Sequence, residues 1–467
     1  MAITRRSFLG RAAAAAVAAA GVGGCATAAA DRTAARPNII VFFTDDHGYA
    51  DLGCMGAADL KTPHLDRVAR EGVRFTSWYS NSPVCSPSRA ALLSGRYPAH
   101  AGVRNILGGH RDTPGLPAST PTLAEALRPL GYRTGLFGKW HLGAAEPFRP
   151  HHRGFDESFG LLSGCVDCYS HIFYWGGMGN SRLDAVHDLW ENGREVWEDG
   201  RYITELIAER AVEFVRRNAP QGPFFLYVPF NAPHYPLHAP EEYLDRFPAS
   251  MPWERRIMAA MLAAVDDGAG RVLDEVRRQG VEDNTIVVFS SDNGPSRETR
   301  NWMDGRREAF TGGSAGPLRE GKFSLFEGGI RVPGLMRWPG RLPAGTVEDR
   351  PAAAMDLFPT LLRAAGGDPA AYEPDGCDLT PALTGTAPWP ERRLFWEYGP
   401  QTAVREGDWK LVLKGRASFG DAVEEGPFLA NLAHDPGEQR NLANDEPDRT
   451  ARLTRLAEDW RAKITAG

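Results

Sequence analysis

Three stretches of the chain are apolar almost without interruption: Asn38–Phe43 after Pro37, Pro223–Pro229, and Asn284–Ser290. Continuous rather than alternating runs of this length read as strands covered on both faces, as in a parallel sheet. The shorter run Arg133–Phe137 and the segment Val332–Trp338 read as further strands. Between them the period becomes helical. The Thr62–Gly72 stretch puts Leu65, Val68 and Ala69 on one face. The Thr120–Leu130 stretch offers Thr120 or Thr122 as a cap, with Glu125 near its start. Helices are also predicted over 202–218, 255–279 and 355–365. After about Pro388 the texture changes to short strands at 394–398, 403–405, 409–414 and 428–432, closed by a helix over 449–465. Strand and helix alternation predicts an α/β fold with a large, doubly wound, mostly parallel sheet flanked by helices. A small C-terminal antiparallel sheet with one helix follows it. The corresponding domains are 36–387 and 388–467.

Composition narrows this picture little. The chain has 467 residues, 42% hydrophobic and 24% charged, with 51 Gly and 35 Pro, which suits a loop-rich globular protein and neither a disordered nor a fibrous one. A formal net charge of -6 gives no electrostatic case for nucleic acid. Six cysteines in 467 residues do not make a disulfide framework. Residues 1–35 read as a targeting segment. Thr4-Arg5-Arg6-Ser7-Phe8-Leu9 is a twin-arginine pattern, followed by an Ala-rich run too short and weakly apolar for a membrane span. Val22-Gly23-Gly24-Cys25 resembles a bacterial lipobox, which makes Cys25 a lipid-bearing N-terminus; ordinary cleavage in the small-residue run 26–30 is the competing reading. On either reading the mature protein is exported, periplasmic or lipid-anchored at the cell envelope, with the Tat machinery as a partner.

Polar residues follow the predicted strands. Asp45 and Asp46 end the first, Lys139 and His141 follow the 133–137 run, His234 follows the 223–229 run, and Asp292 and Asn293 end another. Ligands of open α/β sheets bind at such carboxyl ends. Three carboxylates and an amide are oxygen donors suited to a hard divalent cation, calcium above magnesium. A turn is the simpler explanation for one Asp-Asp pair, but a second acidic strand end favours metal. Zinc is disfavoured there, because no His/Cys cluster has ligand spacing. Cys165-x-x-Cys168 lacks a partner pair and is either a local disulfide or two unpaired cysteines.

The stretch Cys85-Ser86-Pro87-Ser88-Arg89, continuing to Arg96, predicts a short helix with Pro87 in its first turn and Gly95 as its stop. Cys85 then lies at a helix N-terminus, where free N–H groups favour an anion, with Arg89 one turn along. A buried cysteine capping an ordinary helix is the bland alternative.

C-S-P-S-R-A-A-L-L-S-G-R resembles the signature of the type I, formylglycine-dependent sulfatases, in which the cysteine is oxidised to the catalytic aldehyde, 3-oxoalanine. G-K-W-H-L-G, N-A-P-H, S-D-N-G-P and G-K-F-S-L-F-E-G-G-I-R-V-P resemble the matching segments in the family's order. G-D-W-K-L and N-L-A-H-D-P-G-E-Q-R-N-L-A resemble its closing subdomain. The resemblance spans roughly residues 37–460 and tilts toward the arylsulfatase A and N-acetylgalactosamine-6-sulfatase branches. It implies an alkaline phosphatase-like fold and one Ca2+ on Asp45, Asp46, Asp292 and Asn293, with the modified Cys85 as a further ligand. It implies that Arg89 holds the aldehyde hydrate and that Lys139 and Lys322 clamp sulfate oxygens. His141 matches the base on the hydrate's second hydroxyl, and His234 the group at the leaving oxygen. Ser163 is the nearest candidate for a family serine.

The implied reaction is hydrolysis of a sulfate ester to alcohol and sulfate. One hydroxyl of the hydrate attacks sulfur, the alcohol leaves with a proton from His234 or Lys322, and His141 deprotonates the other hydroxyl to release sulfate. A formylglycine-generating enzyme is an implied partner. The rivals are a formylglycine-dependent phosphonate or phosphate ester hydrolase and a non-catalytic exported binding protein with an intact Cys85 thiol. A sulfated carbohydrate is the expected substrate. Specificity is expected from loops 144–200 and 296–318. Tyr174, Trp175 and Trp302 are stacking candidates and Asp167, His171, Arg297 and Arg300 polar ones, each also readable as an ordinary loop residue.

Overall fold

The Asn38–Thr44 run is the middle of a 10-stranded sheet, and all seven of its residues are buried. The computed structural model describes residues 36–173, 185–298, 312–418 and 423–466. The expectations for residues 1–35, Cys25 included, and for Tyr174, Trp175, Arg300 and Trp302 fall outside them. In spatial order the sheet runs Thr346–Glu348, Val73–Phe75, Gly334–Arg337, Thr285–Ser291, Asn38–Thr44, Phe224–Pro229, Arg133–Phe137, Glu157–Gly160, Trp190–Glu191 and Arg194–Glu195. The five strands from Thr285–Ser291 to Glu157–Gly160 are mutually parallel. Gly334–Arg337 on one side and Trp190–Glu191 on the other join antiparallel.

Both faces of the central strand are covered, which is why its sequence is apolar without alternation. Ile40 and Phe42 pack with Leu206 and Ile207 of the Ile203–Asn218 helix and with Met261 and Val265 of the Trp253–Arg278 helix. Ile39, Val41 and Phe43 pack on the opposite face with Leu123, Phe358 and Leu361. Burying each such side chain contributes about 1.5–3 kcal/mol. Thr122 is the cap of its helix: it accepts from the Glu125 N–H at 3.1 Å, and its own N–H donates to Glu125 Oε2 at 2.7 Å. That helix ends at Leu127 and tightens into a 3-10 turn over Arg128–Leu130. Pro129 lacks the N–H the next helical bond requires.

The C-terminal strands Arg393–Tyr398, Gln401–Glu406, Trp409–Leu413 and Pro427–Asn431 form an antiparallel four-stranded sheet in sequence order, and the Pro447–Ala466 helix follows. The sheet belongs to the same compact unit as the rest of residues 36–467. Trp396 Nε1 donates to Ser80 O at 2.8 Å, and Trp396 and Phe428 pack with Leu325, Phe326 and Ile330. Lys410, 0% exposed, meets Glu327 at 2.8 Å and Glu438 at 3.0 Å. This clasp fastens the small sheet to the segment that carries Lys322.

Candidate active site

Four neighbouring parallel strands end at one edge of the sheet. In spatial order they deliver Asp292 and Asn293, then Asp45 and Asp46, then the turn bearing His234, then Lys139 and His141. Backbone bonds tie the ends together: Asp292 N–H donates to Thr44 O at 3.1 Å, Asp45 N–H to Ala232 O at 3.2 Å, and Lys139 N–H to Pro229 O at 2.6 Å. Asp46 and His141 have φ of 61° and 53°, a left-handed conformation that non-glycine residues adopt at a cost. Gly138 must be glycine: its φ is 134°, and a Cβ there would lie 1.9 Å from Pro229 O.

The helix Cys85–Ser94 enters the same place, buried along its whole length and stopped by Gly95 in the left-handed region. One ligand atom each from Asp45, Cys85 and His234 lies within 4.8 Å of the others. Arg89, one turn on, donates through Nε and Nη2 to Asp292 Oδ2 at 3.1 and 2.7 Å, and through Nη1 to Lys139 O at 3.0 Å. Lys139 Nζ donates to Asp45 Oδ2. Asn293 Nδ2 donates to Asp46 Oδ1 at 2.7 Å, and Asp46 N–H to Asp292 Oδ1 at 3.1 Å. Nine of the ten sequence-predicted site residues therefore meet in one buried cluster, Lys322 included, and the tenth, His141, is buried where the charges of Lys139 and Arg89 reach it.

The electrostatics follow from burial. Asp46 is pushed up to about 7 by desolvation, against the pull of Lys322, with Asp45 and Asp292 adding repulsion. Asp292 rises to about 6 by burial and by Asp45. Such carboxylates gain from a shared cation. Asp45 Oδ1 and Asn293 Oδ1 are buried acceptors without a hydrogen-bond partner among the described residues. Hard oxygens with lone pairs to spare fit a calcium-class ion. Burial pushes the Cys85 thiol up to about 11, despite nearby Lys139 and Lys322. The sulfur is thus a neutral thiol at neutral pH, a poor nucleophile as encoded.

His141 donates from Nε2 to Leu107 O at 3.0 Å, and its buried Nδ1 has no partner among the described residues. Burial first, then Lys139 and Arg89, hold it well below the usual imidazole value, so Nδ1 is a bare lone pair. His234 donates from Nδ1 to Tyr235 O at 2.8 Å and faces Lys322 Nζ with Nε2 at 3.2 Å. Burial and Lys322 hold it well below its ordinary value too. Burial opposes the Lys322 charge, but Asp46 and Glu298 outweigh it and keep the ammonium protonated.

Three supporting residues escaped sequence reasoning. Glu298 Oε2 accepts from Lys322 Nζ at 2.8 Å. Gln401, from the small sheet, donates to Phe323 O at 2.7 Å and accepts from Leu325 N–H at 3.1 Å, gripping the segment next to Lys322. Asp188 accepts the N–H groups of Leu162 and Ser163 at 3.1 and 2.8 Å. No local pattern marks any of them, because each partner is distant in sequence. Ser163 is buried and donates to Cys165 O at 3.0 Å. Cys165 and Cys168 are both free and buried, which settles the open pair as two unpaired cysteines. Asp167 is engaged by the Tyr169 and Ser170 N–H groups, and His171 is buried, so neither presents itself as a surface contact; Arg297 is exposed.

A family model described as Sulfatase matches residues 37–367. The chain is 32% identical over 475 residues to N-acetylgalactosamine-6-sulfatase of Rattus norvegicus, covering 92% of this chain and 86% of that protein. It is 33% identical over 452 residues to arylsulfatase A of Homo sapiens, covering 89% and 85%. Among solved structures, Ps i-CgsB in complex with k-i-k-neocarrahexaose superposes with a TM-score of 0.80 at 32% identity, covering 91% of this chain and 92% of that one.

Proposed function

The chain belongs to the sulfatase family of sulfuric ester hydrolases, and from that premise we propose that it hydrolyses a sulfate ester on a carbohydrate through a formylglycine made from Cys85. The observation that carries the reading is the meeting of Cys85 with Asp45 and His234, ligand atoms within 4.8 Å, under the guanidinium of Arg89. A neutral thiol held there is a poor nucleophile and a poor ligand for a hard cation, but a good precursor of an oxygen group.

Asp45, Asp46, Asp292 and Asn293 would hold the calcium ion, which would supply positive charge to stabilise negative charge developing on oxygen. Residue 85, once an aldehyde and hydrated, would supply two hydroxyls on one carbon, one to attack sulfur and one whose deprotonation would release sulfate. The remaining work belongs to encoded side chains. Arg89, locked between Asp292 Oδ2 and Lys139 O, orients residue 85. The ammonium groups of Lys139 and Lys322 offset the charge on sulfate oxygens. His141 Nδ1 accepts the proton of the second hydroxyl, because Leu107 O fixes the ring with its hydrogen on Nε2. Lys322 and His234, hydrogen-bonded at 3.2 Å, share the proton given to the leaving alcohol oxygen.

The carbohydrate substrate draws support from a relative named for N-acetylgalactosamine 6-sulfate chemistry and from a similar structure holding a neocarrahexaose. Export through the twin-arginine route to the periplasm or envelope, and maturation by a formylglycine-generating enzyme, belong to the same proposal. The test is sulfate release from a panel of sulfated mono- and oligosaccharides, beside paired aryl sulfate and aryl phosphonate esters. Sulfate release from at least one sugar is expected, with aryl sulfate preferred. Preference for the phosphonate, or no turnover by protein whose Cys85 is converted, would overturn the reading.

A further inference from the structure

Outside the catalytic cluster, three side chains converge on one point without an evident purpose. His171 and His187 are buried, Asp199 is exposed, and one ligand atom from each lies within 4.8 Å of the other two. Each imidazole is held by its far nitrogen. His171 Nε2 faces Arg201 O at 3.1 Å; a carbonyl only accepts, so Nε2 carries the hydrogen and Nδ1 is bare. His187 Nδ1 faces Glu195 Oε1 at 3.0 Å, which places the hydrogen on Nδ1 and leaves Nε2 bare. Both bare nitrogens, His171 Nδ1 and His187 Nε2, are buried and lack a hydrogen-bond partner among the described residues.

We infer that His171, His187 and Asp199 form a binding site for a divalent transition-metal ion of the zinc class, built from none of the residues of the sulfate site. Two imidazoles and a carboxylate are a ligand set that suits zinc and leaves a fourth position for water, whereas calcium and magnesium prefer oxygen alone. The hydrogen bonds behind the rings, one to a carbonyl and one to a carboxylate, are the arrangement that fixes the tautomer of metal-binding histidines and raises their basicity. Trp197 stacks on the His187 ring at 3.7 Å and 9°, which fixes its plane. Tetrahedral ligands at about 2.1 Å lie about 3.4 Å apart. The closing movement needed is of the order of 1 Å, and exposed Asp199 is free to make it.

The site has a structural consequence. Ile172–Phe173 and Val186–His187 pair antiparallel, so the ion would staple this ribbon to the turn at 198–201. Asp188, next to His187, accepts the Leu162 and Ser163 N–H groups, and Leu162 O accepts the His141 N–H at 3.2 Å. A filled site stiffens the backing of His141.

The test is titration of the full chain, saturated with Ca2+, with Zn2+ by calorimetry and with Co2+ by visible absorption. One tight equivalent of Zn2+, a rise in melting temperature and a tetrahedral Co2+ spectrum are expected. Asp199→Asn, an exposed change that the fold tolerates, should weaken zinc at least tenfold; His187→Gln should abolish the Co2+ spectrum; Glu195→Gln should weaken zinc by ~10–100-fold. The Glu146, His151 and His152 group, exposed at Glu146 and His152 and half-buried at His151, is the control, and His151→Gln should change nothing. Absence of stoichiometric zinc, binding unchanged by Asp199→Asn, or binding lost with His151→Gln would each overturn the assignment.

Discussion

Arg89 and Asp292 form an ion pair sealed from solvent, with two guanidinium nitrogens on the single oxygen Oδ2 and both side chains 0% exposed. Oδ1 of the same carboxylate is left for the Asp46 N–H and the cation side of the site. The third guanidinium bond, to Lys139 O, makes Arg89 the joint between the Cys85 helix and two strand ends.

Arg89→Lys keeps the charge but not the fork. We expect at least a ~100-fold fall in kcat with the protein folded, because one ammonium cannot span Asp292 and Lys139 O. Arg89→Ala leaves Asp292 without its partner and should lower unfolding free energy by about 3–5 kcal/mol. Urea unfolding and steady-state kinetics of the two variants separate these effects; unchanged kcat in Arg89→Lys would refute the positioning role.

Cys85→Ala should remove turnover while leaving the circular dichroism spectrum and melting temperature close to wild type, since only one small buried group is lost. Cys85→Ser offers one hydroxyl instead of two and should release at most one equivalent of alcohol before stalling. The mature Cys85 peptide should be about 18 Da lighter than the encoded thiol. An unmodified thiol in fully active protein would end the proposal.

The acidic cluster sets a pH signature for metal removal. Asp46 at about 7 and Asp292 at about 6 both lie above the ordinary 3.8. In chelated protein their protonated forms favour folding. That contribution is complete below pH 3.8 and is lost as pH rises through 6 and 7. Calcium needs the ionised forms. The melting-temperature gap between calcium-loaded and chelated protein should therefore widen between about pH 5.5 and 7.5, by roughly 5 °C or more. A gap that narrows over this range would contradict the carboxylate site.

The Glu327–Lys410–Glu438 clasp should be as sensitive as the site itself. Burial works to raise Glu327, but Lys410, Arg331 and Arg405 hold it down at about 2, while burial pushes Glu438 up to about 7. Lys410→Met leaves Glu327 and Glu438 facing each other in the interior and should cost about 3–5 kcal/mol. Because this sheet also carries Gln401, which grips Phe323 and Leu325, kcat should fall with the sheet's attachment. Fluorescence-detected unfolding and kcat below the transition provide the check; a Lys410→Met protein as stable as wild type would remove the clasp from the account.

Much of the site could be read from the chain because its parts are local. An apolar run followed by Asp-Asp, or by Asp-Asn-Gly, announces a buried strand and its polar end within ten residues. The Cys85 helix carries its own start and stop. The last two strands of the sheet, Trp190–Glu191 and Arg194–Glu195, were not legible, since two residues apiece leave no period to detect. Glu298, Gln401 and Asp188 were illegible for another reason. Each is an ordinary polar residue whose partner lies 24, 76 or 25 residues away.

The sequence alone determined which elements form and which chemical groups stand at their ends, because hydrophobic period, capping and turn chemistry act over a few residues. Only the tertiary structure decided that four strand ends are neighbours, and which charge answers which. That Arg89 grips Asp292, that Lys322 rests between Asp46, His234 and Glu298, and that Cys85 is a buried neutral thiol depend on strand order and on desolvation. Both are properties of the packed interior, where a charge's partner is chosen by proximity in space and its protonation by the loss of water.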